Sequence, residues 1–300
     1  MTKVFTSMAT FSLAILCVTG LMALPAAYCN DNYQTTLEGD MNYGLLESFP
    51  ISVIYLGITL LMLAFCEVGF RLGVRERTQR DEDAPVSLAP IVGGLLGMLG
   101  LLLAFTFSMA ASQHELRKQN VLSEANAVGT AYLRADLLDK QYGSEVKSLL
   151  REYVNIRLEA ISAGNLSDAL ARSAEIHELL WDQVSSAAVA SPSINTSLVI
   201  QSINEVIDLH QKRVTAALHL RIPVSVWIAL TAITALTMLT MGIQIGVAGK
   251  RRLASVIPLS LAFAMLVTLV VDLNRPQSGL ITVGQHAIVD LQNSMEREAK

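Results

Sequence analysis

The most constraining feature of this sequence is a run without a charged side chain, SLAPIVGGLLGMLGLLLAFTFSMAA, at residues 87–111. A helix of about 25 residues is long enough to cross a hydrocarbon core of roughly 30 Å. Because lipid offers the backbone no hydrogen-bond partners, the run predicts a transmembrane helix. From residue 112 to Leu138 the chain contains no proline and no turn signal, so we expect the same helix to continue from lipid into water.

Small residues occur along this span at close to helical spacing, at Gly93, Gly97, Gly100, Ala104 and Ala111. A glycine inside a helix costs about 1 kcal/mol relative to alanine, so lipid exposure alone does not favour such a row. Small side chains do allow two helix backbones to approach closely in a membrane. The row therefore indicates either packing against another span of the same subunit, or a subunit interface or pore axis.

The composition places the chain among integral membrane proteins. Apolar residues make up 52% of its 300 residues, charged residues only 16%, and the mean hydropathy is +0.46. The net charge of -4 argues against a broad nucleic-acid surface. Cys17, Cys29 and Cys66 form no CxxC or Cys/His cluster, so we assign them no chemistry.

The hydropathy pattern predicts an all-α fold with four core spans, at residues 50–70, 87–111, 224–249 and 253–273. Residues 1–28 form a further apolar stretch, either a retained helix or a signal peptide. We divide the rest into a first transmembrane hairpin (50–111), an extramembrane helical bundle (112–220), a second transmembrane hairpin (221–273) and a C-terminal tail (274–300). The bundle is thus inserted between core spans two and three.

The short loops between spans are basic, which predicts the orientation of the chain. One carries Arg71, Arg75, Arg77 and Arg80, and the other carries Lys250, Arg251 and Arg252. Short loops rich in Lys and Arg stay in the cytoplasm. The pattern therefore predicts a multi-pass protein of the bacterial inner membrane whose helical bundle is extracytoplasmic. Glu67, within a span, is four residues before Arg71, so we expect a structural ion pair there rather than a functional acid.

Turn signals divide the bundle into four helices. Gly143-Ser144, Gly164-Asn165 and Ser191-Pro192 are typical helix ends and starts. They predict an extension of the helix of the second span to Leu138, a hairpin of helices at 144–163 and 167–189, and a returning helix from residue 193. Pro223 is expected to kink or break that helix at the membrane surface. The tail should form a short amphipathic helix packed on the membrane surface or on the bundle.

Polar residues of the two outer helices are candidates for a network inside the bundle, because the helices leave and return to the membrane. Glu124 lies at a height comparable to Lys212 and Arg213, so we expect it to pair with one of them. The full set of candidates is Glu124, Glu205, Asp208, His210, Lys212 and Arg213. No Glu-x-x-His pair occurs among them, so we predict no metal site. We also find no nucleotide fingerprint, nucleophile elbow or catalytic Cys/His arrangement, and we predict no enzyme and no cofactor.

Several motifs resemble the bestrophin-like family of bacterial membrane proteins. They are LLAFTFSMA followed by EANAVGTAYLRADLL, then INEVIDLHQKR before RIP, and finally DLNRPQSGLI. The resemblance covers roughly residues 50–292. It implies a distant likeness to bestrophins, which are pentameric anion channels with four spans and a helical domain between the second and third.

The resemblance also implies functional positions. In bestrophins apolar residues of the second span line the pore neck, and Phe105 and Phe107 are the nearest counterparts here. Thr106 and Ser108 beside them would contact a permeating ion. All four are equally compatible with helix packing, as are Gly93, Gly97 and Gly100. Bestrophins keep the helical domain in the cytoplasm, whereas the basic loops here predict the opposite side.

Two functions are compatible with this pattern. The first is a homo-oligomeric membrane channel for small anions, which the resemblance implies. The second is a membrane-anchored sensor or scaffold, because two spans that bracket an extracytoplasmic bundle are also the plan of bacterial chemoreceptors. Beyond the lipid bilayer, the expected partners are further copies of the chain and small anions, and no nucleic acid.

Overall fold

The structure, a computed structural model, describes residues 49–78, 87–163, 166–218, 220–249, 253–275 and 279–298. Within these ranges it contains eight α-helices and one short 3-10 helix, and no strand. The helices are α1 (Ile51–Arg77), α2 (Ala89–Arg134), α3 (Lys140–Ala163), α4 (Leu166–Ala190), α5 (Ile194–Leu218), α6 (Val224–Ala248), α7 (Leu253–Asn274) and α8 (His286–Glu298). The all-helical class predicted from the sequence is confirmed. The apolar stretch at 1–28 and the basic residues Arg80, Lys250, Arg251 and Arg252 lie outside the described ranges.

Four of the described helices, α1, α2, α6 and α7, are long and apolar enough to cross a membrane, as predicted. The threonine hydroxyl groups of α6 are satisfied within the helix, whereas those of Ser260 and Thr268 on α7 are buried with no hydrogen-bond partner among the described residues. In α6, Thr231, Thr234, Thr237 and Thr240 each donate a hydrogen bond to the carbonyl four residues earlier. Back-bonding of this kind removes the cost of placing a hydroxyl in lipid.

The chain divides into two compact units, which we call the membrane unit (1–109 and 222–280) and the head unit (110–221 and 281–300). In the membrane unit α1 packs against α6 without intervening side chains. A Cβ on Gly69 would meet the carbonyl oxygen of Leu239, and one on Gly73 would meet that of Ile243. Because the contacted residues advance together along both helices, α1 and α6 run parallel.

The same crossing depends on glycines of the partner helix. A Cβ on Gly242 would meet the carbonyl oxygen of Cys66, and one on Gly246 would meet that of Phe70. Each helix thus contributes a Gly-x-x-x-Gly pair to one contact. Such pairs allow backbones to approach within van der Waals distance, which drives helix association in lipid.

The ends of the membrane unit are tied in two ways. At one end the side chain of Arg77 lies against Gly249, which ends α6 with a φ of 69°. At the other, Arg275 donates a hydrogen bond to the carbonyl of Phe49, and Asn274 accepts one from the backbone N–H of Ile222. The C-terminal ends of α1 and α6 therefore lie at the same end of this unit. Arg71, Arg75 and Arg77 lie within α1 rather than in a loop, and residues 78–88 carry one arginine against three acidic side chains.

The head unit is a helical bundle around one apolar core. Val128 and Ala131 of α2 pack there with Leu150 of α3, Ile176 of α4 and Ile203 of α5. The buried apolar residues of each helix recur at intervals of three or four residues, so each helix buries one stripe of side chains. This burial drives assembly of the unit, because apolar surface removed from water contributes about 25 cal/mol per Å².

The turn from α2 to α3 differs from the sequence prediction. The sequence predicts that the helix of the second span reaches Leu138, but α2 ends at Arg134 and a 3-10 turn follows at Ala135–Leu137. The next helix begins at Lys140 rather than at Ser144. Gly143 therefore lies inside α3, where a Cβ would meet the carbonyl oxygen of Ala135. A glycine that signalled a helix boundary instead permits a close approach.

The tail forms α8, which packs on the core of the head unit rather than on the membrane surface. Ile288 and Met295 are buried in that core. Gln292 donates a side-chain hydrogen bond to Asn155 of α3 at 2.8 Å. Leu291 approaches Gly129, whose added Cβ would lie 3.2 Å from the Leu291 Cδ1. The glycine of the AVGTAYL motif thus accommodates the C-terminal helix.

Candidate functional site

The first candidate site is the part of α2 within the membrane unit, which has one packed face. Leu99 and Leu103 are buried against Leu230 of α6 and are joined there by Phe263 of α7. Thr106 is buried on the same face and donates its hydroxyl proton to the Leu102 carbonyl at 2.7 Å. This placement agrees with the packing alternative for Thr106.

The predicted row of small residues lies on a second face of α2. Gly93, Gly97 and Gly100 are exposed, and no atom of the described residues lies within 4 Å of the position that a Cβ would take on any of them. They differ in this from the glycines of α1 and α6. Within the described part of one subunit, the row therefore has no helix packed against it.

A third face of α2 carries large apolar side chains. Leu101, Phe105 and Met109 follow one another at intervals of four residues and are all exposed, Phe105 at 64%. Since each residue turns a helix by about 100°, Phe105 and Phe107 point in nearly opposite directions. Phe107 lies between the packed and glycine faces, and Ser108, also exposed, lies between the glycine and apolar faces. The two phenylalanines cannot face one axis together.

The second candidate site is a polar cluster in the core of the head unit, centred on Glu124 of α2. Glu124 is 1% exposed. Its Oε2 lies 2.7 Å from Nε of Arg213 on α5, and its Oε1 lies 3.6 Å from Nε of Arg157 on α3. His210 of α5 is 3.8 Å away. One buried carboxylate thus faces two guanidinium groups from two other helices.

A tyrosine connects the carboxylate to the imidazole. The Tyr153 hydroxyl donates its proton to Oε1 of Glu124, and its oxygen lies 2.9 Å from Nδ1 of His210. Because the tyrosine has only one proton and the carboxylate can only accept, His210 Nδ1 must be the donor in the second bond. The geometry therefore assigns a proton to Nδ1 of His210.

A second histidine, His177 of α4, completes the cluster. Its ring centroid lies 4.7 Å from that of His210 and 5.2 Å from that of Tyr153. Burial, together with the nearby His210, lowers the pKa of His177 from 6.5 to about 4. Burial and the adjacent Glu124 carboxylate raise the pKa of Tyr153 well above 10. Both groups are therefore neutral at pH 7.

The structure brings together only part of the predicted network. Glu124, His210 and Arg213 meet in the cluster. Glu205, Asp208 and Lys212 are exposed, and Asp208 accepts a hydrogen bond from Asn204 one turn away. These three residues lie on the solvent face of α5, since they fall between the positions that form its buried stripe. No group of three His, Cys, Asp or Glu side chains within the described ranges could hold a metal ion.

Two central members of the cluster were not singled out from the sequence. Tyr153 and Arg157 lie four residues apart on α3, in line with the buried Val146 and Leu150. An arginine at a position that belongs to an apolar stripe is the available signal, because Arg is almost never fully buried without a partner. The Glu67–Arg71 pair, by contrast, forms as expected with Nε and Oε1 3.1 Å apart.

Comparisons with known proteins agree with this architecture. A family model, the Bestrophin-like domain, matches residues 57–288. The fold is similar to a crystal structure of a bacterial bestrophin homologue from Klebsiella pneumoniae carrying one substitution, with a TM-score of 0.57 and 13% identity over 82% of this chain and 96% of that one. A second such structure, with a different substitution, gives a TM-score of 0.55 and 14% identity over the same shares. No curated protein matches the chain.

The sequence motifs, the four apolar helices and the family match thus point the same way. The likeness to the solved structures concerns the fold, whereas the family model extends over more than three quarters of the chain. The resemblance inferred from the motifs is confirmed: this membrane protein belongs to the bestrophin-like family.

Proposed function

We propose that this protein is a homo-oligomeric channel that passes small anions across the bacterial inner membrane. Membership of the bestrophin-like family supports the proposal, since bestrophins are oligomeric anion channels rather than enzymes. The observation that carries it is the division of α2 into three faces. One face packs within the subunit, one presents open glycines, and one presents exposed apolar side chains.

Each face of α2 has a role in a ring of subunits. The packed face holds the helix to its own subunit. The face of Gly93, Gly97 and Gly100 accepts a helix of the neighbouring copy, because small residues permit close approach. The apolar face, centred on Phe105, lines the pore. Apolar constrictions gate ion flow by excluding water, so this row would form the narrow part of the conduction path.

We further propose that the helical bundle (112–220) lies outside the cytoplasm and is inserted between the two hairpins (50–111 and 221–273), with 274–300 as the tail. Support for the orientation comes from Arg75 and Arg77 in the last turn of α1 and from the basic sequence at 250–252 after α6, because α1 and α6 end at the same end of the membrane unit. A Ser144→Cys variant in the bundle should react with a membrane-impermeant maleimide in intact spheroplasts. A Thr78→Cys variant should react only after lysis. The reverse pattern would place the bundle in the cytoplasm.

The channel proposal is tested with purified protein in liposomes. We expect an oligomer by native mass measurement and chloride efflux that depends on the protein. Phe105→Ser should raise the efflux, because a hydroxyl lets water enter the constriction. Leu60→Ser on α1 is the matched control, since Leu60 is 65% exposed but lies on another helix. A monomer or dimer without anion efflux would instead favour the sensor or scaffold function.

A further inference from the structure

The buried charges of the head unit do not balance. Glu124 is the one buried acidic side chain among the described residues of this unit. It faces the guanidinium groups of Arg157, which is 2% exposed, and Arg213, which is also largely buried. Even with both imidazoles neutral, two positive charges therefore share one negative charge. An unbalanced charge in a protein core costs several kcal/mol, so an uncompensated excess is disfavoured.

Hydrogen-bond donors are also in excess at this place. Nε and Nη2 of Arg157 are buried and have no hydrogen-bond partner within the described part of the chain. Nε2 of His177 is also buried without a partner among the described residues, and it is a donor in the Nε2-protonated tautomer of the neutral ring. Glu124 does not satisfy these donors as placed: its Oε1 accepts from Tyr153 and lies 3.6 Å from Nε of Arg157, while its Oε2 lies 2.7 Å from Nε of Arg213 without forming a hydrogen bond. Buried guanidinium nitrogens are normally paired, so these donors require an acceptor that the described side chains do not provide.

We propose that the head unit binds a small inorganic anion, of the size of chloride or bicarbonate, at the Arg157 guanidinium beside His177. One monovalent anion would restore electrical neutrality and accept the unpaired N–H groups. A water molecule could accept two hydrogen bonds but would leave the excess charge in place. Burial of the surrounding side chains restricts the ligand to a few atoms, which excludes organic phosphates and peptides.

This site is separate from the proposed conduction path. All its residues, Glu124, Tyr153, Arg157, His177, His210 and Arg213, belong to the head unit, whereas the α2 faces assigned to conduction belong to the membrane unit. The inference therefore does not depend on whether the protein conducts. An anion that binds the folded head but not the unfolded chain stabilises the fold in proportion to its occupancy.

The experiment measures thermal unfolding of the full-length protein in detergent. Sodium gluconate is replaced stepwise by sodium chloride, bromide or bicarbonate at constant ionic strength. We expect a saturable rise in the melting temperature with at least one of the small anions, and loss of this rise in Arg157→Met. Arg172→Met is the matched control, because it removes the same charge from a half-exposed, ion-paired position on α4. Identical melting curves in all salts, or a rise that persists in Arg157→Met, would overturn the proposal.

Two further measurements apply where Arg157→Met does not fold. Glu124→Gln removes the competing negative charge, so it should melt lower in gluconate and reach half-saturation at an anion concentration about tenfold lower or less. A merely structural role for Glu124 would lower the melting temperature equally in every salt. Crystals of the wild-type protein grown in bromide should show anomalous scattering in contact with the Arg157 guanidinium. Bromide-free density there would refute the assignment.

Discussion

The two units hold their helices together by opposite means. At the centre of the membrane unit, α1 and α6 meet where neither has a side chain, at Gly69 and Gly242. At the centre of the head unit, charged and polar side chains from four helices meet around Glu124. Because lipid is as apolar as leucine, spans gain nothing by burying apolar side chains, and they associate through close van der Waals packing. The head unit gains its stability from burial of apolar surface. Its buried charged groups are tolerated only where each has an ion-pair or hydrogen-bond partner.

The largest expected effect is on the head unit. Glu124→Ala would leave Arg157 and Arg213 buried without their carboxylate. Loss of one partner of a buried ion pair costs about 3–5 kcal/mol, so we expect the head to unfold at much lower denaturant concentration. Circular dichroism against urea measures this. Glu205→Ala, on the exposed face of α5, should change stability by less than about 0.5 kcal/mol. Equal losses of stability in the two variants would mean that the ion pairs of Glu124 do not stabilise the head unit.

The next effect concerns the membrane unit. Gly242→Leu would force a side chain against the Cys66 carbonyl, where backbone must move to make room. Overpacking costs about 1–3 kcal/mol, and we expect a lower melting temperature in detergent. Gly97→Leu on α2 is the control, because a Cβ there meets no described atom of the chain within 4 Å. It should leave subunit stability unchanged while weakening oligomer formation. If both variants have the same melting temperature, close packing at Gly242 does not stabilise the subunit more than the open position at Gly97.

Acid should weaken the head unit. The pKa of His177 is 6.5 in an ordinary environment and about 4 in the fold, because burial disfavours its charged form. Between these values the unfolded chain binds the proton and the folded chain does not, so stability falls as the pH drops from 6.5 towards 4. The loss is at most about 1.4 kcal/mol per pH unit. Denaturant titrations at several pH values measure it. His177→Leu should flatten the slope, and His286→Gln should not.

The smallest effect is expected at Gly129. A Cβ there would lie 3.2 Å from the end of the Leu291 side chain, which can rotate. Gly129→Ala gains about 1 kcal/mol of helix propensity and loses a similar amount in the contact with α8. We expect a net change below about 0.5 kcal/mol by urea unfolding. A large loss would show that α8 is held as rigidly as the α1–α6 crossing.

The sequence predicted what depends on local pattern. The four spans followed from uncharged runs, and the all-helical class followed from the spacing of apolar residues and turn signals. Glu124 and Arg213 were considered together because two helices that leave and return to the membrane bring equal heights into proximity. Comparing residue heights in this way requires only the direction of each helix relative to the membrane. It worked for the outer helices because both begin at a recognisable membrane boundary.

What the sequence did not predict depends on pairing between distant segments. Arg157 was missed because nothing local fixes which face of α3 meets α2. The Gly69 and Gly242 contact was missed because each pair is visible only once α1 and α6 are known to be adjacent. Gly143 was assigned to a helix boundary because glycine usually ends helices, whereas its contact with Ala135 is decided by tertiary packing.

The ties at the end of the membrane unit have a consequence for biosynthesis. Arg275 closes onto the carbonyl of Phe49, 226 positions earlier, and Asn274 closes onto Ile222. The hydrogen bond at the start of the first span therefore forms only after the ribosome has added 226 further residues. A message truncated before the codon for residue 274 would yield spans that insert and pack through the α1–α6 glycines but lack these two hydrogen bonds.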